Sequence, residues 1–136
     1  MDASFTLAIR SDINEIPGVS TRLEEAMEAA AFSPESILDT QLAVEEAITN
    51  VIVHGYKNPE GTIQVSGTTA SDHLTVEIVD HAPQFDPLSI PEPDIDADMS
   101  ERQIGGLGVY LLRQVMDEFS YRYEEGKNIL TLRKNK

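Results

Sequence analysis

The sequence predicts an α+β fold, a two-layer sandwich in which helices cover one face of a mostly antiparallel, mixed sheet. Apolar and polar residues alternate in five short runs, and four of these fall into two neighbouring pairs joined by turn formers, the arrangement of antiparallel hairpins. Helical periodicity fills the intervals between these groups, whereas a doubly wound parallel sheet needs a helix after each single strand. The chain has 136 residues, 40% hydrophobic and 25% charged, enough for one compact core, so residues 1–136 are read as a single domain.

Phe5, Leu7 and Ile9 alternate with Thr6, Ala8 and Arg10, the period of a half-buried strand. From about Glu15 to Ala31, Ile16, Val19, Leu23, Ala26, Met27 and Ala30 recur at three- and four-residue steps, which predicts an amphipathic helix. Ser33-Pro34-Glu35 starts a second helix, because Ser caps free N–H groups and Pro is tolerated in the first turn. That helix is expected to run from Pro34 to about His54. Its apolar residues, including Leu38, Leu42, Val44 and Ile48, cover more than a narrow stripe and predict packing on two sides.

Asn58-Pro59-Glu60-Gly61 is a turn, and Ile63 and Val65, then Leu74, Val76 and Ile78, mark a hairpin joined around residues 69–72. Between Pro83 and Gln103 the chain carries four prolines with Asp94, Asp96 and Asp98, which predicts a long mobile loop. Gly105-Gly106-Leu107-Gly108 then leads into a further helix with Val109, Leu112, Val115 and Met116. Residues 119–123 and 128–132 form a last hairpin turned at Glu125-Gly126-Lys127. Tyr110, Phe119, Tyr121 and Tyr123 are read as core or sheet residues.

Acidic residues outnumber basic ones 24 to 10, a net charge of -14 that repels a phosphate backbone and excludes direct nucleic-acid binding. An acidic surface suits a basic protein partner and also serves solubility. Without cysteine there is no disulfide framework, thiolate metal site or cysteine nucleophile, and the three histidines lack zinc-ligand spacing. Residues 1–5 show no basic n-region, and no stretch approaches the roughly 20 apolar residues of a membrane helix, so a cytoplasmic protein with no membrane association is expected.

Glu46, Asn50 and His54 stand four apart and project from one face of the second helix. Such a line is either an exposed polar stripe or a site in which Asn holds Mg²⁺ by its amide oxygen while Glu deprotonates a nucleophile. Asp80 ends a strand, where its carboxylate either caps a turn or accepts from an exocyclic amine. Gly105, Gly106 and Gly108 can offer backbone N–H groups to a phosphate at the start of the following helix.

Three segments resemble, in order and spacing, the nucleotide-binding boxes of the GHKL, or Bergerat-fold, histidine-kinase-like ATPases: residues 46–56, Asp80 with Phe85-Asp86-Pro87, and residues 105–111. Within that family the chain most resembles the branch of the bacterial anti-sigma factor serine/threonine kinases. The resemblance implies ATP and Mg²⁺ as cofactors, Glu46 as general base, Asn50 as Mg²⁺ ligand and Asp80 as the adenine-binding carboxylate. It further implies that Gly105, Gly106 and Gly108 line the triphosphate, that Arg102 meets the γ-phosphate, and that Thr131 helps Asp80 hold adenine. Residues 83–104 become an ATP lid. The implied activity is phosphorylation of a serine of an anti-sigma-factor antagonist of the STAS type, by a homodimer that also holds a sigma factor. The second box departs from the pattern, with Ala82 and Gln84 where glycines are usual, so strain is expected if Ala82 must adopt positive φ. The alternative is a non-catalytic partner-switching module with weak or no ATP binding.

Overall fold

A computed structural model describes residues 3–56, 60–86 and 112–136. In chain order its elements are β1 (Ala3–Arg10), α1 (Ile16–Ala29), α2 (Pro34–Asn50), β2 (Thr62–Thr69), β3 (His73–Asp80), β4 (Glu118–Glu124) and β5 (Lys127–Asn135). The sheet order is β1-β2-β3-β5-β4. Every described pairing is antiparallel, where the sequence allowed a mixed sheet.

Helix starts follow the sequence signals. Ser33 caps α2 by accepting from the Ser36 N–H at 3.1 Å, and Pro34 fills the first turn, where no intrahelical donor is lost. Ala31 turns the chain between the helices with φ 63°, a left-handed conformation that an L side chain resists. The last hairpin closes on Glu125 and Gly126, both at positive φ, which matches the twist of its strands.

Alternation along the strands sends Ile63, Val65, Val76, Ile78, Leu130 and Leu132 to one face, where Val19, Leu23 and Met27 of α1 and Val44, Ala47 and Ile48 of α2 cover them. Register aligns the rows: Val65 lies opposite Ile78, and Ile78 opposite Leu130. One step further along the same face, Ile63 meets Asp80 and Asp80 meets Asn128, so the apolar rows end in two polar residues.

α2 packs on one side rather than two. Leu38 is 55% exposed and Leu42 45%, because α1 and the sheet occupy only its inner face. The helix also does not continue in α form to His54, for Val51–Tyr56 widen into a π turn. Of the helix expected after the glycine cluster, residues 112–115 are helical, and Leu112 and, just past the last helical residue, Met116 are buried; the part before residue 112 lies outside the described residues.

Candidate functional site

The C-terminal half of α2, the π turn and the adjoining ends of β3 and β5 enclose a cleft lined by Asn50, Gly55, Asp80, Ala82, Phe85 and Asn128, among others. Asn50 reaches it from the inner face of α2, and Asp80 from the core face of β3; they are 2% and 3% exposed. Glu46 stands one turn before Asn50.

Among the described residues, Glu46 Oε1 and both polar atoms of the Asn50 amide are buried without a hydrogen-bond partner. Each such group costs about 1–3 kcal/mol unless something satisfies it, so three on adjacent turns of one helix mark a place for a polar ligand. An amide oxygen in that position suits a hard cation such as Mg²⁺. Burial raises the Glu46 pKa, opposed by the charge of His54, which makes this carboxylate a stronger base than an exposed one.

Burial also raises the Asp80 pKa, while hydrogen bonds from Asn128 and the Ala82 N–H pull it back. Both bonds fall on Oδ1, each at 2.9 Å, leaving Oδ2 for a ligand donor. The π turn shapes the other wall. Tyr56 donates to the Thr62 carbonyl and accepts from the His81 N–H, both at 2.7 Å, and so ties the first box to the segment after β3. His54 stacks on Phe85 with ring centroids 5.5 Å apart.

The strain foreseen at Ala82 is absent, since the only described non-glycine residues at positive φ are Ala31 and Glu125. The Ala82 side chain instead occupies the room beside Gly55, where a Cβ would stand 3.0 Å from that of Ala82. Gln84 is exposed.

Asn50 and Asp80 thus come together, with Glu46 one turn from Asn50 on α2, but Thr131 does not join them. It sits between the buried Leu130 and Leu132, so alternation turns it to the opposite face of the sheet, beside Thr75 and Arg133. Asn128, directly across from Asp80, holds the place expected of Thr131. Tyr121, expected in the sheet, also lines the cleft and donates to Asn128 Oδ1 at 2.6 Å. Asn128 was findable: it continues the two-residue period of Leu130 and Leu132, and a polar residue on an apolar row needs a reason. Arg102, Gly105, Gly106, Gly108 and most of the expected lid lie outside the described residues.

A family model described as a histidine kinase-like ATPase domain matches residues 9–134. The serine-protein kinase RsbW of Listeria monocytogenes is 37% identical over 106 residues, covering 74% of this chain and 68% of that protein. An anti-sigma F factor of Thermoanaerobacter is 30% identical over 104 residues, covering 75% and 73%. A crystal structure of the RsbU and RsbW domains of a Mycobacterium tuberculosis protein superposes with a TM-score of 0.70 at 17% identity. That match covers 97% of this chain and 32% of the other. Among the described residues no helix is long and apolar enough to cross a membrane.

Proposed function

Because the chain belongs to the histidine-kinase-like ATPase family, we propose that it is an anti-sigma regulatory factor that uses Mg·ATP to phosphorylate a serine of its antagonist. The observation that carries this reading is the pair of unsatisfied buried groups on Glu46 and Asn50, one helical turn apart, of which Asn50 lines the same cleft as Asp80.

Each residue has a definite task. Asp80 Oδ2 accepts from the exocyclic amine of adenine, and Asn50 Oδ1 would hold Mg²⁺. When bound, that ion supplies neutralisation of the negative charge of the phosphates. Glu46 receives the proton of the incoming serine hydroxyl, whose oxygen bonds to the γ-phosphorus as the bond to the ADP oxygen breaks. Phosphoryl transfer asks mainly for positioning and charge stabilisation, so one half-buried carboxylate and a preorganised pocket are adequate machinery. Arg102, Gly105, Gly106 and Gly108 complete the triphosphate site in this proposal, with residues 83–104 as its lid.

The proposed setting is the cytoplasm, as a homodimer that exchanges a sigma factor for a STAS-type antagonist. The charge of -14 supports a basic docking surface on one of these partners. Radiolabelled ATP is incubated with the purified chain and the antagonist-type proteins of its own genome. Label on serine, reduced about a hundredfold or more by Glu46→Ala, is expected for a general base. Absence of transfer to all of them sinks the kinase reading.

The buried Ala82 side chain favours a second reading, because it takes space at the base end of the cleft. On that reading the chain is a partner-switching module with little or no ATP binding. Calorimetric titration with Mg·ATP separates the two, since no heat at about millimolar nucleotide leaves only the module.

A further inference from the structure

Asn128 uses its whole hydrogen-bonding capacity on the base end of the cleft. Its Nδ2 donates to Asp80 Oδ1 at 2.9 Å, to the Ala82 carbonyl at 3.0 Å and to the Pro83 carbonyl at 3.3 Å. Its Oδ1 accepts from the Phe85 N–H at 3.1 Å and from the Tyr121 hydroxyl at 2.6 Å. An amide has two N–H protons and two acceptor sites, so with three acceptors around Nδ2 one proton is shared between two of them and nothing is left over for a ligand. The side chain is 5% exposed, and its register opposite Asp80 fixes where it points.

We infer that Asn128 is a positioning residue that makes the cleft selective for a 6-amino purine over a 6-oxo purine, an inference that rests on the nucleotide-binding reading above. By donating to Oδ1 alone, Asn128 and the Ala82 N–H hold the Asp80 carboxylate in one orientation and leave Oδ2 as a pure acceptor. An acceptor in that place attracts an exocyclic amine and opposes a carbonyl oxygen, and such unpaired buried contacts discriminate strongly. The same amide ties Ala82, Pro83 and Phe85 to β5, which fixes the wall of the base pocket where the sequence lacks the usual glycines.

Substitution by a carboxylate of the same shape inverts this arrangement. In Asn128→Asp two carboxyl groups face each other at hydrogen-bond distance, a geometry that retains a shared proton. With the amide donor on Oδ1 gone, Asp80 can turn its carboxyl group so that this proton leaves the shared bond, points into the cleft and donates to the carbonyl of a 6-oxo purine. The test measures dissociation constants of ATP and ITP for the wild-type chain, Asn128→Asp and Asn128→Ser, with circular dichroism and melting curves as controls on folding. Asn128→Ser removes the amide without adding charge and covers the case in which the aspartate variant does not fold.

The wild-type chain is expected to prefer ATP over ITP by about tenfold or more, and either folded variant to lose most of that ratio. A lower melting temperature with an unchanged ATP-to-ITP ratio overturns the inference and leaves Asn128 a structural residue only. Failure of the wild-type chain to bind ATP overturns the nucleotide-binding reading itself, a result recognisable because it needs no variant.

Discussion

Glu46 is poorly placed for stability and well placed for chemistry. Burial raises its folded-state pKa, because the unfolded chain solvates the ionised carboxylate more cheaply than the native cleft does. A raised carboxyl pKa contributes stability fully below the unfolded value and loses it as pH rises through the folded one. Glu46→Gln is therefore expected to be more stable in urea melts near neutral pH, by no more than about 0.5 kcal/mol because solvent screens a half-exposed carboxylate, an advantage that fades once both states are protonated, while transfer is abolished. Equal stability of the two proteins across that range would contradict the assignment. At this scale the sequence was readable wherever spacing alone decides the face: Glu46 and Asn50 are a helical turn apart. Thr131 stands on the opposite face from the one the family resemblance implies, since Leu130 and Leu132 on either side claim the core face.

The elements were legible in type and order, and their irregular ends were not. Nothing in residues 51–56 announces a π turn, nor that Gly55 within it comes to face Ala82 across the cleft, a contact between segments distant in sequence. Gly55→Ala forces two methyl groups to about the limit of approach and is expected to cost about 1–3 kcal/mol of overpacking and to weaken ATP binding. In the Ala82→Gly background most of that cost disappears, so a double-mutant cycle gives a coupling of about 1 kcal/mol or more. Additive effects would show that the two residues do not share the space. Between α1 and α2, Ala31→Gly relieves the left-handed backbone at φ 63°. Its expected gain is about 0.5–1 kcal/mol in thermal or urea unfolding, net of the extra freedom glycine brings to the unfolded chain.

For the whole molecule the decisive fact is the sheet order, in which β5 lies between β3 and β4. The last hairpin is therefore part of the central core and not an appendage. Leu132 faces Val76 on one side and Phe119 on the other, and is fully buried. Composition and periodicity showed that a two-layer core exists but could not say which apolar residues of α2 belong to it, because helix position relative to the sheet depends on pairings distant in sequence. Leu38 and Leu42 look as apolar as Leu132 in the sequence and yet stand in solvent. The two kinds of leucine separate in one experiment. Leu132→Ala is expected to lose about 2–5 kcal/mol, a large share of the roughly 5–15 kcal/mol a domain of this kind holds, and to lower nucleotide occupancy by unfolding. Leu38→Ala is expected to stay within about 0.5 kcal/mol of the wild type in the purified chain, since removing an exposed side chain opens no cavity. A large loss at Leu38 in the purified chain would mean that the outer face of α2 is covered in solution, and a concentration-dependent melting temperature would identify the cover as a second copy.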